Sequence, residues 1–200
     1  MSPEAVVILA AGLSERMGRD KLSLEFGNGN TFLSQILIDY HALGHCQCVV
    51  VVNPIGQSRA LEIIETAKVP ATVVINTSPE AGRFLSLQLG LQALKSADSV
   101  FVHNIDNPFV DPALLEKLLK NRPLGDFVVP VYESKGGHPV LLNSYVVQSI
   151  LMHPDPRTPL NDFLKKFRKA TVATADRRIL TNINTPDDFR EFLAQHQARS

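Results

Sequence analysis

Apolar positions along the chain alternate between unbroken runs and a period near 3.6, and the alternation repeats from one end to the other. Val6–Ala10 is a short continuous apolar run, suited to a strand buried on both faces. Thr31–Leu43 is amphipathic and predicts a helix, and Val49–Val52 is a second continuous β-branched run. The pattern then predicts a helix over Gln57–Lys68, a strand over Ala71–Ile75, a helix over Phe84–Lys95 and a strand over Ser99–His103. Asp111–Asn121 opens with an aspartate in the capping position and Pro112 at the first helical position, where its missing N–H is no loss. Phe127–Val131 and the shorter Pro139–Leu142 read as strands. Helices are predicted near Tyr145–Met152, Pro159–Phe167 and Pro186–Gln197, with short strands near Ala170–Ala173 and Leu180–Ile183.

Strands that alternate with helices imply the α/β class: a mostly parallel, mixed sheet covered by helices on both faces. Ligands of such sheets lie beyond the carboxyl ends of the strands, where the strand order reverses. No repeat, low-complexity tract or break in composition divides the 200 residues. Gly136-Gly137 and Pro154–Pro159 mark loops, so one domain over residues 1–200 is expected.

The composition, 44% hydrophobic and 20% charged with no tryptophan, is that of a globular protein. Twenty basic residues balance twenty acidic ones, which excludes a long-range field that would gather nucleic acid or an anionic membrane. The opening MSPEAVVILAAG has an apolar run too short to span a bilayer and no basic leader, so a cytoplasmic address is expected. Cys46 and Cys48 are separated by one residue, a spacing that rarely closes a disulfide. His41 and His45 precede them, but Gly44 reads as a helix end, which takes the two histidines off a shared face. His103, His153 and His196 show no shared spacing with these and read as structural or exposed. Lys165-Lys166-Phe167-Arg168-Lys169 reads as a solvated helix end whose charges favour the C-terminal dipole.

The chemistry concentrates in Ile8-Leu-Ala-Ala-Gly-Leu-Ser-Glu-Arg-Met-Gly-Arg-Asp-Lys21, directly after the first strand. Gly12 and Gly18 permit backbone conformations and close approach that a side chain forbids, so successive amides can form an anion-binding concavity. Arg16 adds a fork suited to phosphate oxygens and Lys21 a mobile point charge. Neither the G-x-G-x-x-G dinucleotide spacing nor a Gly-Lys-Ser/Thr ending is present. Asp106 follows a strand at the sheet's carboxyl edge, where a hard oxygen can serve magnesium, or can cap a turn before Pro108.

This segment closely resembles the L-A-A-G-x-S-x-R-M-G-x-x-K signature of nucleotidyltransferases that act on the molybdenum cofactor, the cytidylyltransferase branch above all. Related enzymes use GTP or make sugar nucleotides. The resemblance continues along most of the chain. Gly82–Gly90 is similar to a G-M-x-S-S-L-x-x-G segment that faces the base, with Gly82, Ser86, Leu87 and Gly90 kept and Arg83, Phe84 and Leu85 departing. Asn104-Ile-Asp-Asn-Pro108 is similar to a G-D-x-P element, Gly137-His-Pro-Val140 to G-H-P-V, and Asn182-Ile-Asn-Thr-Pro186 to D-I-D-T-P with both aspartates replaced.

What the resemblance implies is a Rossmann-like three-layer fold and the transfer of a nucleotide from an NTP to a phosphate monoester, a molybdopterin-type cofactor. Leu9, Ala10, Ala11, Gly12, Leu13, Ser14, Gly82 and Ser86 would bind the nucleotide. Lys21 would serve the α-phosphate and Arg16 the β- and γ-phosphates. Asp106 would hold Mg2+ with Asn184 as second ligand, unless Asn184 simply caps the helix that starts at Pro186; Asn182 is structural. His138 would contact the acceptor, or be satisfied by backbone. The implied partners are the NTP, the small acceptor and a molybdoenzyme maturation partner. CTP is favoured over GTP because Ala11 stands where the guanylyl branch has glycine, two residues separate Gly18 from Lys21, and G-H-P-V is present. Two further readings stay open: a sugar phosphate or other small phosphate as acceptor, and an inactive nucleotide- or pterin-binding module, which the two asparagines motivate.

Overall fold

The computed structural model describes residues 4–44 and 46–197, without the side chains of His196 and Gln197; His45 therefore lies outside the described residues. The chain opens with β1 (Ala5–Ala10), a small hairpin of β2 (Glu25–Gly27) and β3 (Asn30–Thr31), α1 (Phe32–His41), β4 (Gln47–Val52), α2 (Gln57–Ala67), β5 (Ala71–Ile75) and α3 (Arg83–Gln92). It continues with β6 (Ser99–Asn104), α4 (Pro112–Lys120), β7 (Phe127–Tyr132), β8 (Lys135–Gly136), β9 (Val140–Asn143), α5 (Ser144–Leu151), α6 (Leu160–Leu164), β10 (Lys169–Ala173) and α7 (Pro186–Gln197).

The sheet order is β10-β7-β9-β6-β1-β4-β5, with β8 paired to β7. β6, β1, β4 and β5 pair in parallel, as do β7 and β10, while β9 runs antiparallel to both of its neighbours. All six residues of β1 are buried, which is why this strand shows a continuous apolar run instead of an alternating one. Its alternate residues feed two cores. Val6, Ile8 and Ala10 meet α1, α2 and α4 through Leu33, Ile36, Ala60 and Leu115. Ala5, Val7, Leu9 and Ala11 meet α3, α5 and α6 through Leu87, Ile150 and Phe163. On α3, a Cβ at Gly90 would lie 2.4 Å from Val7 Cγ1 and 2.8 Å from Val51 Cγ2, so only glycine lets this helix press onto the sheet.

Two expected elements need correction. No strand forms at Leu180–Ile183; residues 177–180 wind into a 3-10 turn instead. Ile179 and Ile183 both bury, and the carbonyls of Arg178, Ile179 and Thr181 accept from the Asn107 side chain, so they are not free to build a sheet ladder. The helix expected over Pro159–Phe167 contracts to Leu160–Leu164, with extended Pro159 as its cap. The β2-β3 hairpin was not anticipated, although Asn28 and Gly29, at φ 52° and 77°, are a recognisable tight-turn pair. α1 starts with a capping box between Thr31 and Ser34.

Under the sheet's α1 face lies a neutral buried chain. Tyr40 Oη sits 3.1 Å from His103 Nδ1, and His103 Nε2 lies 2.7 Å from the Asn107 carbonyl. The carbonyl can only accept, so Nε2 carries the proton and Nδ1 accepts from the tyrosine. Burial pushes His103 from 6.5 down to about 3. The unfolded chain therefore takes up a proton below 6.5 that the folded chain refuses until near 3. Stability is fully present above that upper value and is lost as pH falls through the interval, by on the order of 4 kcal/mol at its end. Thermal unfolding followed between pH 7 and 4 should show this acid limb, and His103→Gln should flatten it. An unchanged limb in the variant would assign the acid sensitivity to other groups.

Candidate active site

The strand order reverses at β1. The chain steps outward through β4 and β5 and returns to β6 on the other side of β1. The loops that leave β1 and β6 consequently diverge at the carboxyl edge, where open α/β sheets bind ligands. The register brings Leu9 opposite Asn104, and the Ile105 amide donates to the Leu9 carbonyl at 3.1 Å, so the two loops start side by side.

The first loop is anchored below and open above. Met17 is buried in the α1-side core while Gly12, Leu13, Arg16 and Gly18 are exposed. Ser14 and Gly18 take left-handed φ values of 52° and 65°, and the Ser14 carbonyl accepts the amides of Met17 and Gly18. The φ of Gly12 is not in the left-handed region and a Cβ there meets nothing within 4 Å, so its bareness matters to an occupant of the cleft and not to the loop itself. Ala10, Gly12, Leu13, Ser14 and Gly18 line a cleft of about 390 Å³ whose far wall is Asn53–Gly56. Asn53, not singled out in the sequence, donates from its amide to the carbonyls of Ala11 and Gly12 at 3.4 and 3.3 Å. That leaves loop amides, not loop carbonyls, for an anion. Ala11 itself is buried in the α3-side core, in the same apolar cluster as Phe84 and Leu87.

Lys21, Asp106 and Asn184 meet at the end of this loop. Lys21 Nζ donates to Asn184 Oδ1 at 2.7 Å and lies 3.9 Å from Asp106 Oδ2. Burial lowers the Lys21 pKa, with Arg16 and Arg83 adding to the fall and Asp106 and Asp188 opposing it. Arg16 is close enough to bear on both Lys21 and Asp188. The other carboxylate oxygen, Asp106 Oδ1, is buried and has no hydrogen-bond partner among the described residues. An unpartnered buried carboxylate oxygen is costly, and it fits a cation arriving with substrate. The donors here are hard: one carboxylate and one amide oxygen, a set that suits Mg2+ when phosphates and water complete it. Asn184 Oδ1 already accepts from Lys21, so an ion would use its second lone pair or take the place of Lys21.

Two residues unread in the sequence hold this arrangement. Asn107 is fully buried, and its amide lies 2.6 Å from the Thr181 carbonyl, 3.1 Å from that of Arg178 and 3.2 Å from that of Ile179. The Ile183 amide donates to the Asp106 carbonyl at 2.7 Å, which closes the same connection from the other side. Asp188 Oδ2 accepts the amides of Asn184 and Thr185, both at 2.9 Å, and the Asp188 amide donates to Thr185 Oγ1. This reciprocal cap sets the entry to α7 and fixes the Asn184 backbone; the amide of Asn184 is the main reason the Asp188 carboxyl sits low. Thr185-Pro-Asp-Asp188 carried the signal in its spacing.

His138 arrives because β9 runs backwards: its first residue, Val140, pairs with Val102, so the turn before it lands beside Asn104. Gly137 passes so near that a Cβ would lie 2.4 Å from the Ile179 carbonyl. Asn104 Nδ2 donates to His138 Nε2 at 3.1 Å, so the proton sits on Nδ1, which is buried with no partner among the described residues. Burial lowers the His138 pKa, with Asp106 opposing and Arg83 assisting, so the ring is neutral at pH 7. His138, Asn104 and Arg83 line a second pocket of about 290 Å³, and Leu9 belongs to its wall and not to the loop cleft. Gly82, at φ 100°, precedes α3. Ser86 is buried, and its hydroxyl accepts from Asn76 Nδ2 at 2.9 Å.

Comparison with known proteins agrees with this geometry. The family described as MobA-like NTP transferase domain matches residues 6–172. The chain is 26% identical over 191 residues to the molybdenum cofactor cytidylyltransferase of Escherichia coli (strain K12), covering 94% of this chain and 95% of that protein. It is 28% identical over 198 residues to the 2-C-methyl-D-erythritol 4-phosphate cytidylyltransferase of Bacillus pumilus (strain SAFR-032), covering 94% and 72%. Among solved structures, a nucleotidyl transferase from Methanothermobacter thermautotroptrophicus superposes with a TM-score of 0.77 at 21% identity, over 99% of each chain. The fold, the switch-point loops and the span of the match together make this chain a member of the MobA-like NTP transferase domain family, a family of nucleotidyltransferases.

Proposed function

We propose that the chain transfers a nucleoside monophosphate from an NTP, with CTP preferred, to the phosphate of a small molybdopterin-type acceptor, releasing pyrophosphate. The meeting of Lys21, Asp106 and Asn184 beside an amide-rich loop is the observation that carries this reading. In the reaction, an acceptor phosphate oxygen donates a lone pair to the α-phosphorus. The bond from that phosphorus to the bridging oxygen breaks, and its electrons leave with pyrophosphate. The acceptor phosphate has a second pKa of about 6 and is already mostly dianionic at pH 7, so no strong base is required. Alignment and charge stabilisation are what the protein supplies.

Lys21 exchanges the neutral Asn184 oxygen for an α-phosphate oxygen, a stronger charge-assisted bond. Arg16 serves the β- and γ-phosphates, and amides from Ala11 to Ser14 contact the nucleotide. Neutral His138 offers Nδ1–H to the acceptor. Mg2+, held by Asp106 and by Asn184 once Lys21 has turned away, would neutralise charge on the phosphates. Pyrophosphate release with CTP and GTP over a panel of phosphorylated acceptors tests the reaction. Nucleotide binding without release from any acceptor would overturn it in favour of an inactive binding module.

A second reading, with a sugar- or polyol-phosphate acceptor, is favoured by the 28% identity to a cytidylyltransferase of that kind. The same acceptor panel separates the two. For the nucleotide, we expect kcat/KM for CTP to exceed that for GTP by roughly 10–200-fold, the range that small steric differences in a pocket supply. The two cytidylyltransferases above support this preference, as does the G-H-P-V turn. Because the Ala11 methyl is packed in the core, its influence on the base acts through the seating of α3. Equal values for the two nucleotides would end the cytidylyl assignment and leave nucleotidyl transfer standing.

A further inference from the structure

His103 is fully buried in β6, just before Asp106 in sequence, and has no part in the reaction described above. Its ring nevertheless reaches forward along the chain. Nε2–H donates to the Asn107 carbonyl at 2.7 Å, closing a turn of backbone with Asp106 inside it. The Asn107 amide donates to the Asn104 carbonyl at 3.1 Å, so backbone and side chain both brace this turn. The residue before Asp106 is tied through the Ile105 amide to the Leu9 carbonyl, and the Asp106 carbonyl takes the Ile183 amide. His103 secures the residue that follows.

The carboxylate depends on such support. Ligating carboxylates are ordinarily aimed by hydrogen bonds from their surroundings. Among the described residues Asp106 Oδ1 has no partner, and Lys21 Nζ stands 3.9 Å from Oδ2, beyond hydrogen-bond reach. The direction of the carboxylate therefore follows from the backbone on either side of it.

The ring can brace the turn in only one tautomer. Tyr40 Oη, 3.1 Å from Nδ1, donates there and leaves the proton on Nε2. With the proton on Nδ1, the Nε2 lone pair would face a carbonyl oxygen, a contact between two acceptors. Tyr40 is fully buried on α1, its ring edge-on to His103 with centroids 5.6 Å apart. Phe101, on the same face of β6, fills its place in the core with carbon alone. Burying an imidazole beside it carries a desolvation cost that packing by itself does not call for.

We infer that His103 is a positioning residue for the reaction: from the α1 face of the sheet it fixes the backbone that carries Asp106, with Tyr40 fixing its tautomer, so that the carboxylate is preset for the cation that comes with the nucleotide. This deepens the nucleotidyl-transfer reading and rests on it.

Calorimetric titration of the full chain with CTP, once in Mg2+ and once in EDTA, without acceptor, provides the test. The ratio of the two affinities reports the metal's hold on the protein, and the affinity in EDTA reports the rest of the nucleotide site. His103→Leu should lower the ratio by about tenfold, the lower end of what outer partners of metal sites contribute, and leave the EDTA affinity unchanged. His103→Gln, whose side-chain amide can donate to the same carbonyl, should keep the native ratio, and Tyr40→Phe should fall between the two. Thermal unfolding of the same preparations shows that each is folded, and Tyr40→Phe carries the comparison if the leucine variant is not. An unchanged ratio in His103→Leu and Tyr40→Phe, or an equal loss in EDTA, would overturn the inference. Asp106→Asn separates the other failure. If Mg2+ strengthened CTP binding in that variant as much as in the native chain, the metal role of Asp106 would fall and take this inference with it. A native ratio abolished by Asp106→Asn yet untouched by the other variants would strike the inference alone.

Discussion

Replacing Lys21 by alanine should lower turnover by about a hundredfold to a thousandfold, the cost of losing one preorganised donor to a developing charge. Lys21 is held by the Asn184 oxygen at 2.7 Å and lies within 3.9 Å of Asp106, so it is poised before any substrate binds. Its side chain is only 13% exposed, which strengthens its pull on an incoming phosphate, and burial already presses its pKa down. The fold should tolerate the change. Leu22, the neighbouring anchor, is the buried residue of that turn, and removing a partly desolvated cation relieves a cost as well as a bond. A shift in Tm within about 4 °C is expected, corresponding to about 1 kcal/mol in a chain of this size. Single-turnover rates with CTP beside thermal unfolding of the same preparation would check both halves. Normal turnover in a folded variant would exclude Lys21 from the mechanism.

Asp106→Asn should be at least as damaging, by about a thousandfold in magnesium-dependent turnover, at the upper end for a single electrostatic contributor. The substitution keeps the side-chain shape and leaves untouched the backbone bond from Ile183 to the Asp106 carbonyl. What disappears is a full negative charge, including the buried Oδ1 that no described residue answers. The loss also reaches Lys21, because Asp106 is the largest influence opposing the fall of its pKa. Asn184→Ala removes only a dipole and should cost about tenfold, a neutral hydrogen bond's worth. Magnesium titrations of kcat/KM for the three proteins rank the two positions, and a larger defect at Asn184 would reverse their proposed order.

Much of the architecture was legible because strands buried on both faces leave unbroken runs such as Val6–Ala10 and Val49–Val52. Pattern alone misled at Leu180–Ile183, where the buried pair is Ile179 and Ile183, four apart, around a 3-10 turn and not along a strand. In the site, the Ile8–Lys21 loop and Asp106 could be found from local spacing. Asn53 and Asn107 could not be weighed in that way, since they act on backbone far away in sequence, whereas Asp188 stood in a capping spacing that went unread. Arg83 was visible as a departure from the family pattern, but its charge gains meaning only from the company of His138 and Asn104.

The tie made by Asn107 sets where this protein can be shortened. The family match ends at residue 172, yet the Asn107 amide is satisfied by carbonyls from Arg178 to Thr181, and Ile183 fills the core beside it. A chain ended at the limit of the match would strand two buried amide hydrogens and open a void under the Asp106 loop, as well as losing Asn184. The boundary of the inherited sequence pattern is therefore not a folding boundary. Excision, fusion or permutation that is to keep the Asp106 loop in place has to keep residues 177–192 with it.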